Sequence, residues 1–515
     1  MLSRIIGFVR DILIAAFLGA TMAADAFFVA WRLPNLFRSL FAEGTLNVSF
    51  VPIFTENLQT KGHDKAQRFA SEAFSFLFYV LLLFVIVMEL LMPLATFILA
   101  PGFDQIAGKI ELTTYLSRIT FPFLMFVSLV SLFAGILNSL GRFAAAAFTP
   151  CILNVVMILS LLILSPLTND PAWALAWGIF AAGIVEMIFL YACVKKAGYQ
   201  ISLLAPVHVL FKVSADLKKL FRRMLPGIFG SGVYQINLFF DTFFVSFVGA
   251  GAISWLNYAH HLFQLPIGVI GVAIGTVLLP VLSGFISKGE IDKAVTNLNR
   301  GLEVSLAMSV ASMIGLMILA VPIVTVLFER GAFTAQSTLP TATALQAFAI
   351  GLPAYMLTKA LAPFFYAKGD TKTPVKIAVF GVCVNASLCL SLMQFWGHVG
   401  IALATGITVW INAAQYVFLL KKQGEFHLDA TFKYRVKRIL LAGLLMGLFL
   451  FVGDYIYTAL FGNWAKLAML QSIFLLALLI GLACIFYFGV LILTKGILFS
   501  DVLALLHRKG KRKNA

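Results

Sequence analysis

Apolar runs long enough to cross a bilayer recur along this chain from its first residues almost to its last, and no other feature constrains its fold as strongly. A helix needs roughly 20 apolar residues to span hydrocarbon. About fourteen helices can be read, near 2–18, 22–56, 70–98, 112–139, 146–166, 171–195, 218–248, 252–284, 301–327, 338–366, 374–396, 399–420, 437–458 and 468–495. Of the 515 residues 61% are hydrophobic and only 12% charged, against about 25% charged in a soluble domain. The period-two alternation of an outer-membrane barrel is missing. The expected fold class is an all-α polytopic membrane protein that begins directly in a span, with no cleavable leader ahead of it.

The formal net charge of +16 would suit nucleic acid if it gathered on a soluble face. It lies in the connections instead. One alternating set carries Lys61, Lys65 and Arg68, then Arg142, a run from Lys195 to Arg223, Lys288 to Arg300, Lys368 and Lys372, Lys421 to Arg438, and the tail "HRKGKRKNA". The other set holds only Lys109, Arg330 and Lys466. This asymmetry puts both termini in the cytoplasm. Five cysteines (Cys151, Cys193, Cys383, Cys389, Cys484) lack metal-ligand spacing and read as buried thiols.

Sliding the chain against itself by roughly 230 residues exposes a repeat. "LGA" at 18–20 matches "VGA" at 248–250, and "VPIFTENLQTKGHDKA" matches "LPVLSGFISKGEIDKA". Pro122 pairs with Pro353, and Asn154 with Asn385. Each copy holds six helices, an even number, so the two are expected to be parallel repeats around a central cavity. The resulting division is a first lobe at 1–197, a cytoplasmic linker at 198–217, a second lobe at 218–424, two added helices at 437–496, and a basic tail at 497–515.

The stretch "ADAFFVAWRLPNLFRSLFAEG" at 24–44 carries Asp25, Arg32, Arg38 and Glu43 inside an apolar segment. Each charge facing lipid at the bilayer centre would cost ~2.5–3.5 kcal/mol. Asp25 and Arg32 are about two turns apart and share a face; Pro34 is expected to bend the helix between Arg32 and Arg38. The first span adds Arg4, Arg10 and Asp11. Arginines exceed carboxylates here, which suits bidentate binding of phosphate or carboxylate oxygens; the competing reading is an ion-pair network that only joins two helices. Farther on stand Asp241, Lys359 and the pair His260–His261 before Pro266. Adjacent histidines point about 100° apart on a helix and make a poor metal pair. No phosphate-binding loop, nucleophile elbow or zinc signature occurs. Secondary transport fits best, and an enzyme is not expected.

The motifs "GFVRD", "ADAFFVAWRLPNLFRSLFAEG", "SFVPIF", "LPIGVIGVAIGTVLLP" and "KALAPFFYAKGDTKTPVK" resemble the MurJ (MviN) family of lipid II flippases, within the multidrug/oligosaccharidyl-lipid/polysaccharide exporter superfamily. The resemblance covers nearly the whole chain and is weakest over the last two spans. It implies fourteen helices in two lobes working by alternating access. The implied substrate is the undecaprenyl-pyrophosphate-linked peptidoglycan precursor, moved from the cytoplasmic to the outer leaflet of the bacterial inner membrane. The family's cavity arginines fall on Arg4, Arg10 and Arg38, its essential acidic residue on Asp25, and another carboxylate on Glu43; Arg32, His261 and Lys359 complete the expected substrate-binding set. The two added helices would hold the polyprenyl tail in or near lipid. The partners implied are lipid II and membrane lipids, with no nucleic acid, and the transporter is expected to be monomeric.

Some relatives carry a sodium site, whose matching positions here are Asp241, Asn385 and Thr405, with Cys389 where an acidic residue is expected. The chain also departs from the family at His260–His261, where Asp-Arg is common. Family members usually have more residues before the Ser-Arg motif, and the first span here is barely long enough to cross a bilayer. The rival functions are export of another lipid-linked oligosaccharide or of drugs, for which an acidic or aromatic cavity would be the better match.

Overall fold

The structure is a computed structural model that describes residues 2–41, 45–211, 213–424, 426–465 and 468–496. Among them the chain is helical, apart from turns and a single bridge between Arg330 and Phe333. Among the described residues ten helical stretches are long and apolar enough to cross a membrane. Large apolar side chains lie on their outer surfaces, as Leu83, Ile86, Leu90, Leu94 and Phe97 do along one helix. Such surfaces suit a lipid solvent and would make a soluble protein aggregate.

Two compact units divide the chain. The first comprises Met1–Ser254 and Arg330–Phe333. It contains α1 (Leu2–Leu18), α2 (Met22–Phe41), α3 (Thr45–Lys61), α4 (His63–Leu99), α5 (Lys109–Thr120), α6 (Phe123–Ser139), α7 (Phe143–Leu164), α8 (Pro171–Lys196), α9 (Ala215–Val245) and the start of α10 (Ala252–Pro266). Phe50, Phe54 and Phe69 stack at its centre with Phe133, Leu190 and Leu220 around them. The repeat boundary expected near 217 is therefore not the packing boundary: α9 packs on α2, α3 and α4.

Within this unit the connection after α8 is strapped to α4. Gln67, Ser71, Ser75 and Tyr79 form a stripe at intervals of four residues. Gln67 Oε1, Ser71 Oγ and Ser75 Oγ accept from the backbone N–H groups of Gln200, Ser202 and Leu204 at 3.0, 3.3 and 2.9 Å. Tyr79 donates to the Leu204 carbonyl at 3.1 Å. Four helical residues rise about 6 Å and two extended residues about 6.6 Å, so the stripe stands in for the edge of a strand.

The second unit comprises Trp255–Glu329 and Thr334–Ala515. It holds the rest of α10, α11 (Val272–Ile286), α12 (Ile291–Ile318), α13 (Ala320–Phe328), α14 (Ala335–Ile350), α15 (Leu352–Ala367), α16 (Lys372–Lys422), α17 (Ala430–Phe461) and α18 (Met469–Leu493). Pro266, which cannot donate a backbone hydrogen bond, is followed by a π turn at Ile267–Gly271. Helix α16 is two antiparallel arms meeting at Gly397, whose φ of 55° and ψ of −129° are not helical. A Cβ on Gly400 would lie 2.3 Å from the Leu392 carbonyl oxygen, and Thr408 reaches Asn385 at 3.5 Å, so the chain has doubled back. Helix α17 docks on α12 through charge: Arg435 donates to Glu303 at 2.7 Å, and Arg300 bridges Glu303 and Asp429.

The apolar runs are helical, but the runs expected at 22–56, 112–139, 252–284, 301–327 and 338–366 are each divided into two helices, and several helices start earlier than their apolar runs. Helix α4 begins at His63 rather than near 70, and α12 at Ile291 rather than near 301. Charged first turns extend these helices, aided by the pairs Arg68–Glu72 and Lys293–Glu290.

Candidate functional site

Arg10 is the most constrained of the expected site residues. Its Nε and Nη2 donate to Asp11 Oδ1 at 3.0 and 2.7 Å, and its Nη1 donates to Asn154 Oδ1 at 2.8 Å. The guanidinium carbon stands 4.8 Å from the centroid of the Trp31 ring, a cation–π distance. The side chains of Arg10 and Asp11 are each 12% exposed. In apolar surroundings a guanidinium held on three sides keeps its charge and a fixed direction.

On α2, Trp31, Asn35 and Arg38 follow one helical face. Asn35 Nδ2 donates to the Trp31 carbonyl at 3.0 Å, and Arg38 Nε donates to Asn35 Oδ1 at 3.1 Å. Arg32 donates to the Thr242 hydroxyl on α9. Arg4 is exposed on α1. Glu43 lies outside the described residues. Glu186 on α8, to which sequence assigned no role, is 3% exposed.

Asp25 has a different setting from the cavity wall expected of it. Its carboxylate is fully buried and accepts from Lys109 Nζ at 2.8 Å, from the backbone N–H groups of Gly251 and Ser254 at 2.7 and 2.9 Å, and from Ser254 Oγ at 2.6 Å. The two amides open α10, so the carboxylate also sits where a helix N-terminus favours negative charge. Lys109 is correspondingly misplaced by sequence. It reads as a loop lysine, yet it is fully buried, starts α5, and lies 3.9 Å from the Phe103 ring centroid.

In the second unit, His261 is half-buried on α10, and His260 Nε2 lies 2.6 Å from Gln264 Nε2. Lys359 is exposed on α15, its ammonium 5.6 Å from the Tyr355 ring centroid. The Thr405 hydroxyl donates to the Ile401 carbonyl at 3.2 Å, and Asp241, in the first unit, accepts from Asn237 at 3.3 Å. Among the described residues no group of three or more His, Cys, Asp or Glu side chains is arranged to hold a metal ion. Sequence reasoning missed Asn154 as a site residue because it entered only as a repeat match. An asparagine inside "CILNVVMIL" was the available signal.

Membrane-length helices that keep guanidinium groups in apolar surroundings define a polytopic transporter for an anionic substrate. Known proteins narrow the class. The sequence profile described as "Lipid II flippase MurJ" matches residues 14–495. The chain is 40% identical over 515 residues to the probable lipid II flippase MurJ of Rhizobium tropici, covering 99% of this chain and 94% of that one. It is 38% identical over 488 residues to the probable flippase of Rickettsia prowazekii, covering 94% of each. A solved structure described as "Lipid II flippase MurJ, inward closed conformation" superposes with a TM-score of 0.77 at 27% identity, covering 95% of this chain and 98% of that one. An inward-facing multidrug transporter of the MATE family shares the fold alone, with a TM-score of 0.67 at 15% identity over 82% of this chain and 94% of that one. This chain belongs to the lipid II flippase MurJ family, whose members are transporters and not catalysts.

Proposed function

We propose that this protein carries lipid II from the cytoplasmic to the outer leaflet of the bacterial inner membrane by alternating access, with Arg10, Arg32 and Arg38 gripping the pyrophosphate. The observation that carries the reading is the Arg10 cluster: a guanidinium kept charged and aimed by Asp11, Asn154 and Trp31 inside an apolar helix bundle. Planar guanidinium groups match phosphate oxygens two at a time. They also offset the loss of hydration, which for an isolated ion in hydrocarbon amounts to tens of kcal/mol. Arg4, Glu43, His261 and Lys359 are proposed as further substrate contacts. Asp25, enclosed by Lys109, Gly251 and Ser254, acts in this scheme by holding α2, α5 and the start of α10 together.

The proposed layout is fourteen spans in two parallel six-helix repeats around a central cavity, with both termini cytoplasmic, the added α17 and α18 along the lipid tail, and a monomer as the working unit. The reading is supported by the loop charge asymmetry and by the doubled-back arms of α16, two helices that meet at the non-helical Gly397. A sodium ion is a poor match to the residues present. Asp241, Asn385 and Thr405 offer oxygen, but Cys389 offers sulfur, and hard cations prefer oxygen. No step of the proposed cycle is routed through sodium.

Reconstitution in liposomes with labelled lipid II tests the function. Protein-dependent appearance of the label in the opposite leaflet is expected, together with rescue of peptidoglycan synthesis in cells depleted of their own flippase. Failure of both with folded protein would refute it.

A further inference from the structure

Asn154 on α7 makes two bonds in opposite senses. Its Oδ1 accepts from Arg10 Nη1 at 2.8 Å, and its Nδ2 donates to the Ser3 carbonyl at 3.1 Å. The residue is 6% exposed. One amide therefore fixes both the guanidinium of Arg10 and the first turn of the helix that carries it, the turn that also holds Arg4. The fit between α1 and α7 is close there. A Cβ added at Gly7 would lie 3.2 Å from Asn154 Nδ2, so glycine at position 7 makes room for the amide.

We propose that Asn154 is a positioning residue for anion binding: it holds Arg10 without neutralising it. The chemistry of the amide is specific to this task. Only a side chain with a donor and an acceptor a few ångströms apart can bridge a guanidinium and a carbonyl. Aspartate would keep the acceptor, lose the donor toward Ser3, and add a second negative charge beside a guanidinium already paired with Asp11. Arg10 Nη1 also reaches Met157 Sδ at 3.9 Å, so the guanidinium is held in a fixed direction by residues of both helices. Near-correct orientation of a binding group before the ligand arrives is what lowers the cost of association.

This inference rests on the lipid II reading, and the test separates the two. Lipid II affinity and flipping rate are measured for purified wild type and for Arg10→Ala, Asn154→Ala, Asn154→Asp, Gly7→Ala and their doubles, with thermal unfolding followed in parallel. Asn154→Ala is expected to raise Kd ~10-fold, the scale of one charged hydrogen bond, and Asn154→Asp to raise it further. Gly7→Ala should raise Kd about threefold alone and leave it unchanged in the Asn154→Ala background, because the clash is with the missing amide; contacts of this kind are strongly non-additive. Adding Asn154→Ala to Arg10→Ala should cost nothing more in affinity. If Arg10→Ala binds lipid II as wild type does, the functional reading fails. If Arg10→Ala loses binding while Asn154→Ala changes only the unfolding temperature, or while the two losses simply add, the positioning role fails. Should Asn154→Ala not fold, Gly7→Ala against wild type decides, and an unchanged Kd there overturns the proposal.

Discussion

Position 10 is an arginine, and position 240, its counterpart under the proposed repeat, is a phenylalanine. The residues around them correspond: Asp11 with Asp241, and Asn154 with Asn385. In the first copy the carboxylate and the amide both hold the Arg10 guanidinium. In the second, Asp241 is met by Asn237 on its own helix, and Asn385 by Thr408 across the hairpin of α16. Under the proposed repeat, the matching carboxylate and amide thus make different contacts in the two copies. Anion binding is expected to depend chiefly on Arg10 and the residues that hold it in the first unit.

The comparison can be broken in several ways. The largest effect should come from the buried pair beneath the first copy. Lys109→Met removes the one cation bonded to the buried Asp25, leaving it only the Gly251 and Ser254 donors, and is expected to cost about 3 kcal/mol of stability; adding Asp25→Leu should recover part of the loss. Unfolding in detergent checks both, and a stable Lys109→Met single variant would mean the pair is not anchoring the helices. Next, Asn385→Ala should change lipid II affinity far less than Asn154→Ala. Equal losses would show that both copies bind the anion.

A smaller effect concerns the second unit. His261→Ala is expected to weaken lipid II binding less than Arg10→Ala does, and an affinity equal to wild type would make the histidine a packing group. The smallest effect is expected from the ion: replacing sodium by potassium in the flipping assay should leave the rate unaltered, and a steep loss would restore sodium to the cycle.

Much of this architecture is legible in sequence, because spans are set by local composition. The break at Gly397, between spans expected to end at 396 and begin at 399, is such a case. Contacts between distant residues are not legible in that way. Lys109 has the neighbours of a loop lysine, and its partner Asp25 is 84 positions away. Asn154 is 144 positions from Arg10, and nothing in its own segment names the arginine it serves. Charged helix ends such as those at His63 and Ile291 were lost for the opposite reason: hydropathy stops at the apolar run, whereas a helix continues while its polar turns can pair.

The most direct test of the account is the flipping of lipid II by Arg10 variants that insert and fold normally. Removing a charged hydrogen-bonding group from a binding site costs ~1.5–3 kcal/mol, so Arg10→Ala should lower the initial flipping rate at limiting substrate by about 10- to 100-fold. Arg10→Lys, a point charge without the planar fork, should fall between that variant and wild type. Flipping by Arg10→Ala at the wild-type rate would contradict the claim that this guanidinium binds the transported anion.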